Sequence, residues 1–265
     1  MAVGMVAADS AAVDLAREGV YRFLSAVLSD PRGGRFWLAQ DAADQRLACQ
    51  AADLLREDAA PGGRRGLGEL PAEALDLGDV CEHLRRPLDA LLTEYDRAFG
   101  LAAGRDCPPF ETEYHPNSDP FFRAQQMADV AGFYRAFGLS PSQDLPERPD
   151  HAALELEFMA FVLLKKRMAQ GEDDRDGAAE DVAVCDQAQR SFFRDHVAWW
   201  LPAFATGLRR KSGDGLYAAA GRALAALVHA ERCRLGVDTA SVSGPPDRPD
   251  GPEEPGACGG CTADR

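Results

Sequence analysis

Apolar residues recur at three- and four-residue steps along most of the chain, the period of helices that bury one face. Val13, Ala16, Val20, Phe23, Leu24, Val27 and Leu28 define the first such face, which Asp30-Pro31 and Gly33-Gly34 close. A second helix is expected from roughly Phe36 to Arg56. Pro61 to Gly68, with four glycines and a proline, reads as a loop. Leu84, Leu88, Leu91, Tyr95 and Phe99 form one stripe of a third helix ending at Gly100. An irregular stretch with prolines at 108, 109 and 116 comes next. Asp119-Pro120 then carries the signature of an N-cap followed by proline in the first turn. The helix it opens holds Phe122, Met127, Val130, Phe133, Tyr134 and Phe137 and stops at Gly138. Pro141 to Pro149 leads to Asp150, read as the N-cap of a helix from His151 to about Ala169. After an acidic loop, Gly171 to Gly177, two more helices are expected, roughly Ala178 to Ala205 and Asp214 to Leu235. No alternating strand pattern, hairpin signal or solenoid-length repeat interrupts this series.

The pattern changes at Asp238. The last 28 residues hold five Gly, five Pro and six acids but no aromatic, too little apolar area to offset the entropy of ordering them. The expected organisation is all-α: a single helical-bundle domain over residues 1–237, then a disordered tail over 238–265.

Charge and cysteine usage narrow the classes of function. Of 265 residues, 29 are Lys or Arg and 43 Asp or Glu, a net charge of −14. Such a chain repels phosphates, which argues against nucleic acid and anionic membranes as partners and favours cationic segments. The longest apolar run, Phe158 to Leu164, meets Lys165 after seven residues, so no stable membrane insertion is expected. The apolar start lacks the basic flank of a secretory signal. Seven cysteines, five of them scattered singly, suit a reducing compartment. The expected location is the cytoplasm.

Common catalytic signatures are missing: no Walker loop, G-x-G-x-x-G, H-E-x-x-H or G-x-S-x-G. Cys258-Gly-Gly-Cys261 is the sharpest local motif. It can close a disulfide or supply half a metal site, yet no second ligand pair accompanies it, and a mobile dithiol without fixed role reads equally from it. His151 and Glu155 share a helix face, either as a metal or acid–base pair or as a histidine bonded to a neighbouring group. Glu157, among Leu154, Phe158 and Phe161, is a solvated edge residue or faces a groove. His196, beside Phe192, Phe193, Trp199 and Trp200, reads as a hydrogen-bonded core histidine. The loop Phe110-Glu111-Thr112-Glu113-Tyr114 is a recognition element or a plug of the bundle.

Glu94-Tyr95-Asp96-Arg97-Ala98-Phe99 with Pro108-Pro109-Phe110-Glu111-Thr112-Glu113-Tyr114 resembles the E-Y-x-x-L-F … P-P-Y-E-S-x-Y pattern of the TorD/DmsD/NarJ family. Tyr134-x-x-Phe137-Gly138-Leu139 followed by Pro149-Asp150-His151-x-x-x-Glu155-Leu156-Glu157-Phe158-Met159 resembles a second block of that family. Phe193-x-x-His196-x-x-x-Trp200-x-Pro202-x-Phe204 resembles a third. Phe110 and Thr112 replace Tyr and Ser, and Ala98 a larger apolar residue. The Cys258/Cys261 tail is outside the family pattern.

The resemblance implies a non-catalytic, system-specific chaperone. Its partners are the catalytic subunit of a molybdopterin-dependent enzyme and that subunit's N-terminal leader, often a twin-arginine signal. It would assist cofactor insertion into the apo-enzyme and hold back export. The molybdopterin cofactor is then the client's, and none is bound permanently here. Tyr95, Phe110, Glu111, Glu113, Tyr114, Asp150, His151, Glu155, Glu157 and Phe158 become the candidate peptide-binding residues: acids for the arginines, apolar groups for the hydrophobic segment. Two other readings stand beside it. One is a thiol- or metal-handling assembly factor acting through Cys258 and Cys261. The other is a helical assembly factor for an enzyme that is not exported.

Overall fold

Leu216–Leu235 is rich in alanine and apolar around most of its circumference, the pattern of a helix surrounded by others. It is the last of ten α-helices in a computed structural model that describes residues 10–59, 63–100, 107–140, 142, 147–171, 177–238 and 240–245. The helices are α1 (Ser10–Val27), α2 (Trp37–Gln40), α3 (Ala42–Asp58), α4 (Gly78–Leu84), α5 (Leu88–Phe99), α6 (Pro120–Ala136), α7 (Ala152–Gln170), α8 (Ala178–Phe192), α9 (Leu201–Ser212) and α10 (Leu216–Leu235). The fold is all-α, as expected. Among the described residues strand-type pairing is limited to one antiparallel bridge, Phe110 with His151.

Two helix pairs build the core. α10 packs along α9 and α1 along α7, with α3 laid against α1. The α9–α10 approach needs Gly221, because a Cβ there would stand 2.8 Å from the Ala205 carbonyl oxygen. At Gly215 a Cβ would run into the Glu94 carboxylate where it now lies. That carboxylate accepts from the Tyr217 N–H at 3.1 Å and from Arg86 at 2.7 Å, so α5 supplies a cap to the start of α10.

Buried ions join the two pairs. Arg17 on α1 donates to both carboxylate oxygens of Glu231 on α10, each at 2.7 Å, and to Asp14 at 2.8 Å. Tyr21 also donates to Glu231, and Lys166 on α7 reaches Asp14 at 2.8 Å.

Several expected boundaries shift, each for a local reason. The helix expected from Phe36 to Arg56 divides at Asp41, whose backbone leaves helical geometry while its side chain caps α3 by accepting from the Ala43 and Asp44 N–H groups. The Leu84–Phe99 stripe divides at Pro87, which lacks the N–H that a continuous helix would use, so Leu84 ends α4. The expected Ala178–Ala205 helix passes through a π turn, Phe193–Val197, and restarts at α9 with Pro202 in its first turn. Asp119 caps α6 as expected. Asp150 does not cap α7. His151 does, its Nδ1 accepting from the Ala153 N–H at 3.1 Å. In the segment expected to be tail, the Val242 N–H donates to the Trp199 carbonyl at 3.1 Å and Val242 packs on the core. Residues 246–265, with Cys258 and Cys261, lie outside the described residues.

Breaking a buried ion pair strands its partner in the core, at a cost of about 3–5 kcal/mol. Glu231→Ala is therefore expected to lose stability on that scale in urea denaturation, with Glu231→Gln losing less because it keeps an acceptor for Arg17.

Candidate functional site

The loop that follows the prolines at 108 and 109 is fastened to the entrance of α7 by the single bridge. The Glu111 N–H donates to the Asp150 carbonyl at 2.9 Å, and the Ala152 N–H to the Pro109 carbonyl at 2.8 Å. Asp150, with no exposed surface, accepts from the Thr112 N–H at 3.2 Å and from its hydroxyl at 2.8 Å. Arg148 completes the clasp, donating to both Asp150 oxygens at 3.0 and 2.8 Å. Its guanidinium lies 4.1 Å from the Phe110 ring centroid, a cation–π contact. Burial pushes the His151 imidazole down to about 4, which keeps Nδ1 unprotonated and able to accept from α7. Of the two readings for His151, the bond to a neighbouring backbone group is the one this geometry contains.

Glu111 and Glu155 reach further inward. The π turn aims His196 and Trp199 at Glu111. His196 Nδ1 lies 3.2 Å from the carboxylate, and Trp199 Nε1 donates to it at 3.0 Å. Glu155 accepts from Trp200 Nε1 at 3.1 Å, and its Oε1 has no hydrogen-bond partner among the described residues. Burial raises Glu111, and the His196 and Trp199 donors oppose the rise. Glu155 lies well above the usual carboxylate range, because burial and the charges of Glu111 and Asp150 all disfavour its ionised form. Tyr114 is buried against Trp200, their ring centroids 5.1 Å apart. Of the two readings for the Phe110–Tyr114 loop, the plug describes Glu111, Thr112 and Tyr114.

A cleft of about 500 Å³ opens beside this joint, between the α1–α2 connection and the first two turns of α7. Leu139, Leu154, Phe158 and Phe161 supply its apolar lining, and Asp30, Arg35, Glu147 and Glu157 its charges. Arg35 and Glu157 pair across it at 2.7 Å, both partly exposed. Partial burial raises the Glu157 carboxyl and Arg35 counters it. Of the ten candidate residues, His151, Glu157 and Phe158 line the cleft, while Glu111, Tyr114, Asp150 and Glu155 are buried in the joint. Those four therefore do not edge a groove in this structure; their carboxylates and ring are spent on internal bonds and packing. Phe110 is half-buried under Arg148, and Glu113 pairs with Arg123 and Arg148 at 3.3 and 3.5 Å. Tyr95 stacks on Phe99 and Tyr217 rather than beside the others. Asp30, Arg35 and Glu147 were not among the ten. Around Asp30 and Arg35 the local sequence, Asp30-Pro31 and Gly33-Gly34, signals only a helix stop, and around Glu147 only a proline-rich connection.

The protonated Glu155 makes stability depend on pH. The folded chain holds a proton that the unfolded chain releases near the ordinary value of 4.5. The stability from Glu155 is then complete below that pH and is lost as pH rises toward the folded-state value. Glu155→Gln keeps an oxygen for Trp200 and removes the titration. Its Tm relative to the parent chain is expected to be more favourable at pH 8 than at pH 4.5, and a gap moving the other way would show Glu155 to be charged in the fold.

Comparison with known sequences gives a consistent picture. The profile of the nitrate reductase delta subunit family matches residues 67–206, which contain both halves of the joint. The chain is 35% identical over 149 residues to the selenate reductase assembly chaperone protein of Thauera selenatis, covering 56% of this chain and 72% of that one. It is 36% identical over 110 residues to the chlorate reductase assembly chaperone protein of Ideonella dechloratans, covering 42% and 53%. It is 29% identical over 175 residues to the chaperone protein TorD of Vibrio cholerae, covering 61% and 74%. With more than half its length inside the family profile, the chain belongs to the nitrate reductase delta subunit family, the TorD/DmsD/NarJ group of assembly chaperones rather than of catalysts.

Proposed function

We propose that this protein is a cytoplasmic maturation chaperone that binds the N-terminal leader of an apo-reductase subunit in the cleft between the α1–α2 connection and α7. The client's molybdopterin cofactor is inserted while the subunit is held, and a leader occupied in this way is withheld from twin-arginine export. The assembly-chaperone relatives support the maturation role.

The observation that carries the leader reading is the Arg35–Glu157 pair over an apolar floor. A leader of this type is cationic at one end and apolar in the middle. Its arginine can replace Arg35 on Glu157, with Asp30 and Glu147 nearby to add attraction, while its apolar residues cover Leu139, Leu154 and Phe161. The guanidinium fork suits a carboxylate better than an ammonium does, which favours arginine over lysine. Among the described residues no helix is long and apolar enough to cross a membrane.

Titration of a twin-arginine leader peptide by calorimetry tests the site. Glu157→Lys is expected to weaken binding by about tenfold or more, the scale of a lost charge-assisted bond in a half-exposed site. Arg35→Ala frees Glu157 and is expected to tighten binding a few-fold. Equal affinities for parent chain and both variants would place the leader elsewhere.

A further inference from the structure

Cys49 on α3 and Cys81 on α4 are 32 positions apart, and their Sγ atoms lie 3.7 Å from one another. Both are free thiols. A disulfide needs the sulfurs at about 2.05 Å, so less than about 2 Å of closure separates the pair from a covalent bond. Their exposures differ in a useful way. Cys49 borders the buried Ala48–Ala52 face of α3 and is half-buried, within reach of a small oxidant, whereas Cys81 is 6% exposed beside Val80 and Leu84.

The geometry points to Cys49 and Cys81 as a modification site that a peroxide converts to an intramolecular disulfide between α3 and α4. The Cys49 sulfur attacks one peroxide oxygen, and the O–O bond breaks. The second oxygen leaves as water, with Cys49 left as a sulfenic acid. The Cys81 sulfur then attacks the Cys49 sulfur. The S–O bond breaks, the hydroxyl leaves with the Cys81 proton as a second water, and the S–S bond forms. Two electrons pass from two thiols to one peroxide. Burial, reinforced by the adjacent Cys49, pushes the Cys81 thiol up to about 12, which leaves the more exposed Cys49 to meet the peroxide first.

The consequence is mechanical. α3 packs on α1 and α4 on α10, so the bond would tie the two helix pairs together covalently, beside the Arg17–Glu231 and Arg234–Asp58 ion pairs. Neither cysteine lines the cleft, and the inference does not rest on the leader reading.

The test is peptide mapping of the full chain under non-reducing conditions, before and after hydrogen peroxide, with alkylation of remaining thiols. The expected product is a Cys49 peptide joined to a Cys81 peptide, about 2 Da lighter than their sum and released by dithiothreitol. The oxidised chain is expected to melt about 5 °C or more above the reduced one, a rise that Cys81→Ala abolishes. Mapping of the parent chain decides the matter even if that variant folds poorly. Cys49 and Cys81 both still alkylated while other cysteines are oxidised, Cys49 driven to sulfinic acid, or a link only between two molecules would overturn the site. A Cys49–Cys81 link without a rise in Tm would overturn the mechanical role.

Discussion

Asp150 has no exposed surface, and its carboxylate accepts four hydrogen bonds, two from Thr112 and two from Arg148. A carboxylate taken out of water costs several kcal/mol unless donors replace the solvent, and here each donor belongs to the loop or the connection being joined. Both therefore have to be in place before the charge can be buried. Glu111 and Glu155 extend the same constraint into the core, where the indoles of Trp199 and Trp200 meet them. The bridge between Phe110 and His151, the capping of α7 and the π turn before α9 all serve this cluster of buried acids.

The cleft is a consequence of that joint. Holding residues 147–151 against the loop sets where α7 begins, and α7 presents Leu154, Glu157, Phe158 and Phe161 along its first turns. The opposite wall comes from the α1–α2 connection, carried by α1 as it packs on α7. The Arg35–Glu157 ion pair is left at the mouth, half-exposed, where its charges stay largely solvated. A buried acid and a partly exposed one thus lie within one helix, two positions apart, at Glu155 and Glu157.

Helical periodicity carried the architecture well, because a buried helix face leaves a 3.6-residue signature whatever it packs against. The Asp119-Pro120 start of α6 and the extent of α1 were readable for the same local reason. The errors fall where local signals compete. Asp41 and Pro87 interrupt apolar stripes that are otherwise continuous. Asp150 has the chemistry of an N-cap yet is drawn into a tertiary clasp, leaving the cap to His151.

The same division applies to the site. The family resemblance marked the segments that the fold brings together, 110–114, 149–158 and 193–204, and residue types picked out the acids and aromatics within them. Whether a glutamate in those segments faces solvent or core could not be read there, since Glu155 and Glu157 differ by only two positions and end in opposite environments. Burial depends on which distant indole, histidine or arginine arrives beside the carboxylate. Arg35 and Asp30 entered the cleft for the same reason, through the packing of α1 on α7. Sequence patterning set the helices, the acidic balance and the segments that carry chemistry. Tertiary packing alone decided which acids were buried among donors and which stayed at the surface, because desolvation is a property of the assembled surroundings and not of the residue.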